Sequence, residues 1–132
     1  KVAVLSATEF VNPALPSTLD AAALSKMCER GQIAGCIVDG PLALDNALSP
    51  EAAAEKNLRS PVAGHADILL GHTIEVSNSL AKGATYFAGL MLAHVIVGAR
   101  VPVLISSRAD KSEARLMSIA LGTVMTGQTA GS

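Results

Sequence analysis

Short β-branched runs alternate with Ala-rich stretches of helical period along this chain, and a chain so patterned has few folds open to it. "KVAVLS" fits a buried parallel strand, and the Pro-rich "NPALPST" after it reads as a loop. In "STLDAAALSKMCERG" the spacing predicts a helix with Ser17 as N-cap, Asp20 three residues on, an apolar stripe at Ala23, Leu24, Met27 and Cys28, and a stop at Gly31. "AGCIVDG", residues 34–40, is expected as a second strand. "PLALDNALSPEAAAEKN" is expected as one or two short helices broken at Ser49-Pro50. A third strand is expected near residues 66–71, and helical spacing follows through Leu80, Tyr86 or Phe87, and Leu90 or Met91. "AHVIVGA" and "VPVLISS" read as fourth and fifth strands. The last helix carries Ala114, Met117, Ala120, Leu121, Val124 and Met125 on one side. Strands and helices alternating at this pace imply parallel pairing with right-handed crossovers, hence the α/β class.

The composition agrees and removes several functions. With no tryptophan, one tyrosine and two phenylalanines, a core must be built from Ala, Leu, Val and Ile. A formal charge of −1, with 10 basic and 11 acidic side chains spread along the chain, lacks the electrostatic footprint of a nucleic-acid binder. Cys28 and Cys36 form no C-x-x-C pair, as in a reduced, cytoplasmic chain. The longest nearly apolar run, residues 86–99, holds His94 and falls short of the roughly 20 apolar residues that a bilayer span needs. His65, His72 and His94 lack metal-ligand spacing, so no metal site is expected. The sequence starts with Lys1 directly on a strand pattern, and a piece of a longer protein is the expectation.

The chemistry is expected where strands end. Ligands of parallel sheets collect beyond the carboxyl ends of the strands, against the N-termini of the next helices. Ser107 and Arg108 stand at such a junction, ahead of a helix that Asp110 can cap and Glu113 can complete as a capping box. Arginine offers a planar fork to phosphate or carboxylate, and serine a donor to a thiol or oxyanion. The plain alternative is an arginine that finishes a strand and pairs with a nearby acid. Asp39, before Gly40-Pro41, either orients a substrate or caps a helix opened by Pro41. Asp45 either pairs with Arg59 or faces solvent. Gly64 allows a ligand's close approach or only a turn. Asn78 and Lys82, four apart, share a helix face that is either a solvated surface or a grip on one anionic group.

In order, "VAVLSA", "IVDGPLALDNALSPEAA", "SPVAGHADILL", "SNSLAKGATYFAG" and "VPVLISSRADKSEARLMSIAL" resemble the phosphate acetyltransferase and phosphate butyryltransferase family, with "DGPLALDNA" and "SRADKSEA" nearer its butyryl branch. The resemblance covers practically the whole chain as the C-terminal part of a longer enzyme. It implies a partial isocitrate/isopropylmalate dehydrogenase-like fold, a three-layer α/β/α arrangement with a mostly parallel sheet. Residues 1–99 would form most of the second domain, and residues 100–132 would return to the first.

The implied reaction moves a short acyl group between coenzyme A and inorganic phosphate, with coenzyme A as substrate and no permanently bound cofactor. A homodimer in the cytoplasm, without membrane or nucleic-acid partners, is implied as well. By the resemblance Ser107 would hydrogen-bond the coenzyme A sulfur and Arg108 would steady phosphate or the acyl carbonyl. Ala114 stands where the acetyl branch has a catalytic carboxylate; either the adjacent Glu113, the catalytic candidate, or the nearby Asp110 would substitute as base toward the thiol, or the butyryl-type pattern needs neither. Ser6, Asp39, Gly64, Asn78 and Lys82 are the expected substrate-binding set. The chain also departs from the family at His72-Thr73, Ser77-Asn78 and Ala81, where Pro-Asp, Gly-Asn and an aromatic are usual. Two rivals remain. A non-catalytic descendant would bind acyl-CoA or phosphate or serve assembly, and a dehydrogenase of the same fold would need an acidic metal cluster that the sequence does not offer.

Overall fold

The computed structural model describes residues 1–129. Two compact units divide it: Lys1–Asn78, and the described residues from Ser79 on. In the first unit, β1 (Val2–Leu5) lies between β2 (Val38–Leu42) and β3 (Ile68–Leu70) in a three-stranded parallel sheet of order β2-β1-β3. The α/β class with parallel pairing therefore stands. Ala3, Val4 and Leu5 are all buried, as the middle strand of a covered sheet demands.

α1 (Pro16–Glu29) connects β1 to β2 and packs against both, with Val4, Ala21 and Val38 forming a core that Leu24, Cys28 and Ile33 border. Its start differs from expectation. Pro16 takes the first helical position and Leu15 is the N-cap, so Ser17 lies inside the first turn and its hydroxyl meets that of Ser6 at 2.8 Å. The fixed φ of proline suits that position better than any interior one, which pushes the helix start ahead of Ser17. At the other end Gly31 takes φ +74° and its amide bonds the Cys28 carbonyl, the expected stop.

β2 runs later than its apolar run suggested. The ladder shifts register between Ala3 and Leu5, opposite Gly40-Pro41, and resumes at Leu42, whose carbonyl accepts the Ser6 amide at 2.9 Å. A proline without an N–H is tolerated in a strand at such an irregularity. No helix opens at Pro41. α2 (Leu44–Leu48) and α3 (Pro50–Glu55) follow, separated at Ser49 as expected, and Ser49 Oγ accepts the Ala52 amide as the cap of α3. Asp45 pairs with Lys56 at 3.0 Å, and not with Arg59.

The division between the units falls inside α4 (Ile74–Tyr86). In the second unit the expected fourth and fifth strands do not join a parallel sheet. Residues 93–99 and 101–107 meet in one antiparallel bridge, Ile96 to Val103. The reason is connection length: a parallel crossover needs about a dozen residues, and so short a link as this one permits only a hairpin. α5 (Ser112–Thr129) closes the unit. Its expected apolar side is largely exposed at Met117, Leu121 and Val124, and its buried line is the small one, Ser118 and Gly122. A Cβ at Gly122 would lie 2.9 Å from Leu104 Cδ2, so the absence of a side chain there admits the leucine. Among the described residues no helix is long and apolar enough to cross a membrane.

Candidate functional site

The residues expected to carry chemistry fall in both units. In the first, Ser6 follows β1 and Gly71 follows β3, at the carboxyl ends of adjacent strands where the strand order reverses. α1 borders that end: Ser6 Oγ meets Ser17 Oγ at 2.8 Å, and His72 Nδ1 lies 3.6 Å from Asp20 Oδ2. The His72–Asp20 approach is not legible in the sequence, because only the crossover topology brings the two residues together.

Asp39 sits in β2, half-buried, and its Oδ1 accepts from Ser25 Oγ at 3.1 Å and from the Gly40 amide at 2.8 Å. It ties α1 to the sheet and caps no helix. Gly64 is buried with φ +76°, and a Cβ there would come within 2.6 Å of Pro50 Cα. The close approach it permits is to its own chain at the start of α3. Asn78, on α4, is exposed.

In the second unit a turn presents Ser107 and Arg108. The Asp110 amide donates to the Ser107 carbonyl at 3.1 Å, and the Ser107 amide donates to Asp110 Oδ2 at 2.7 Å. Ser107 is half-buried and Arg108 exposed. The expected capping box does not form, because α5 begins at Ser112, two residues past Asp110, and that carboxylate is already taken by the Ser107 amide. A short polar side chain that closes its own turn competes with the helix for the same acceptor.

Beside this turn, within the same unit, lies a cavity of about 350 Å³. Lys82, Tyr86, His94, Asp110 and Glu113 supply its polar wall, and Met91 contributes to the apolar one. Of the expected site residues, Lys82 and Glu113 therefore share one hollow. Ala109, Asp110 and Ala114 line it too, whereas Ser107 and Arg108 do not. His94, which the sequence offered only as an unsuitable metal ligand, stands 3.8 Å from Asp110 Oδ2 through its Nε2. Its backbone amide donates to the buried Ser118 Oγ at 2.9 Å, which in turn donates to the Ala114 carbonyl. Among the described residues no group of three or more His, Cys, Asp or Glu side chains is placed to hold a metal ion.

Carboxylates elsewhere are held by local donors. Hydrogen bonding from Lys56 keeps Asp45 below its ordinary range, with the Asn46 amide assisting. Glu75, in the first turn of α4, is lowered by its own amide and the Thr73 hydroxyl. Glu51 is lowered by the Ser49 hydroxyl in the same manner at the start of α3.

Comparison with known proteins gives this geometry its family. A family profile described as "Phosphate acetyl/butaryl transferase" matches residues 1–123. A phosphate acetyltransferase from Thermotoga maritima is 55% identical over 124 residues, 94% of this chain and 42% of its own length. A probable phosphate butyryltransferase from Bacillus subtilis is 57% identical over 121 residues, 92% of this chain and 40% of its own. The two identities do not separate an acetyl from a butyryl branch. A crystal structure of a branched-chain phosphotransacylase from Enterococcus faecalis superposes with a TM-score of 0.82 at 38% identity, covering 92% of this chain and 44% of that one. The chain thus spans about two fifths of the length of these relatives. With a profile match running through β1, the sheet, the Ser107–Asp110 turn and most of α5, this chain belongs to the phosphate acetyl/butyryl transferase family.

Proposed function

We propose that this chain is the C-terminal part of an enzyme that transfers a short acyl group between coenzyme A and inorganic phosphate. The profile match over residues 1–123 carries the reading, because it includes the turn on which Ser107 and Arg108 stand. In the reaction a phosphate oxygen attacks the thioester carbonyl carbon, the carbon–sulfur bond breaks, and the thiolate leaves to be protonated. Catalysis of such a step needs orientation and charge stabilisation and no redox chemistry.

Arg108 steadies phosphate or the acyl oxygen as a planar two-donor fork. Ser107 donates a hydrogen bond from its hydroxyl to the leaving sulfur and keeps its proton. In the reverse direction Glu113 accepts the proton of the coenzyme A thiol, in place of the carboxylate that Ala114 lacks. Lys82, in the same hollow as Glu113, and Asn78, one turn earlier on α4, contribute to binding the anionic substrate. In the first unit Ser6, at the carboxyl end of β1, is a further substrate-binding residue, while Asp39 and Gly64 hold the sheet and the start of α3 in place. Residues 1–99 belong to the second domain of the full-length enzyme and residues 100–132 return to its first. The enzyme works in the cytoplasm as a homodimer.

The test is phosphate-dependent release of thiol from acetyl- or butyryl-CoA by the full-length enzyme that contains this chain. Arg108→Ala abolishes that release while the circular dichroism spectrum is retained. A second reading, a non-catalytic acyl-CoA or phosphate binder, draws on Ala114 and on the absence of Arg108 from the cavity wall. Saturable binding of coenzyme A with no thiol release would select it.

A further inference from the structure

We infer that Asp110 is a positioning residue, whose carboxylate sets the turn that presents Ser107 and Arg108. This rests on the acyl-transfer reading above. The Asp110 side chain is 17% exposed, and its Oδ2 takes the Ser107 amide at 2.7 Å, among the shorter hydrogen bonds of the chain. The Asp110 amide answers to the Ser107 carbonyl, so the two residues clasp each other across Arg108 and Ala109. His94 Nε2 stands 3.8 Å from the same oxygen, and Ser118 fixes the His94 backbone to α5. The His94 ring thus stands beside the clasp, next to the helix that follows it. Lys82, Lys111 and Glu113 are the other charged groups on the neighbouring cavity wall.

An aspartate in this place has one requirement: an acceptor oxygen one carbon beyond Cβ. Asparagine meets it and glutamate does not, because the extra methylene carries the carboxylate past the Ser107 amide. A role as general base or counter-charge makes the opposite demand, tolerating glutamate and not asparagine. The two roles therefore predict reversed orders of activity.

In the full-length enzyme, Asp110→Asn is expected to keep kcat close to the parent value, and Asp110→Glu and Asp110→Ala to lower it about 100-fold, as misplacement of a reacting group by about 1 Å can. KM for acyl-CoA is expected to change little in all three, because the clasp aims groups used in the transition state. Thermal melts identify any variant that fails to fold, and the Asn and Glu variants decide the matter without the alanine. An active Glu variant with an inactive Asn variant overturns the proposal, and so do three variants all equal to the parent. Arg108→Ala run alongside keeps the outcomes distinct: full activity there refutes the acyl-transfer reading itself, whatever the Asp110 variants do.

Discussion

Gly40 shows how much one residue decides in this fold. A Cβ at that position would lie 2.8 Å from the Val4 carbonyl oxygen, 2.9 Å from Val4 Cβ and 3.1 Å from Ala21 Cβ, where α1 meets the sheet. Gly40→Ala is expected to destabilise the first unit by about 1–3 kcal/mol, the usual cost of overpacking, and chemical denaturation measures it. An unchanged midpoint would show that the sheet yields there. Lys56 is a second decisive residue, reaching Asp45 at 3.0 Å and Glu9 at 3.4 Å while Glu9 also accepts from the buried Asn46 amide. Asp45 is lowered and Lys56 raised, each chiefly by their shared hydrogen bond. The stabilisation from Asp45 is therefore complete above the ordinary carboxylate value and lost as pH falls through its depressed value. That from Lys56 is complete below the ordinary lysine value and lost as pH rises through its raised one. Lys56→Met should flatten the acid limb of a stability–pH curve, and an identical limb would mean the pair contributes nothing. Of these contacts the sequence offered only an Asp45 that pairs with Arg59 or faces solvent, and Lys56 is the partner because the fold sets α2 against α3.

At the level of elements, legibility follows how local the determinant is. β1, the break at Ser49-Pro50 and the stop at Gly31 were all readable, since each depends on residues within a few positions. The expected fourth and fifth strands do not form a parallel pair, because an apolar run does not say what it pairs with. The short link between them does, and it leaves only an antiparallel hairpin. α5 follows from its helical spacing, but which of its faces is buried does not. Its apolar residues suggested the buried side, yet the second unit packs against the small face at Ser118 and Gly122. Ser118 is central to that packing. Ser118→Ala removes the acceptor of the His94 amide and is expected to cost about 0.5–1.5 kcal/mol, the usual net contribution of one hydrogen bond. Hydrogen exchange of the His94 amide should quicken in step, and unchanged protection would refute the contact.

For the whole molecule, family and fold class were open to sequence reading, while the arrangement of the site was not. The motif order that suggested the family is spread over the full length of the match, residues 1–123. The hollow of Lys82 and Glu113 and the His94–Asp110 approach depend on tertiary neighbours 31 and 16 positions apart in the chain, which no motif encodes. The chain also leaves large apolar side chains uncovered, Phe87 at 94% and Ile74 at 79% exposed. Exposed apolar surface on this scale is expected to bind 8-anilinonaphthalene-1-sulfonate when the 132-residue chain is prepared alone, and fluorescence reports it. Little acyl transfer is expected from that isolated chain, which spans about two fifths of its relatives. The most direct measurement is thiol appearance from butyryl-CoA with the full-length enzyme, with and without inorganic phosphate, for the parent and for Arg108→Ala. Release that requires phosphate and vanishes in the folded variant is the predicted result; release indifferent to phosphate, or undiminished without the guanidinium, would contradict it.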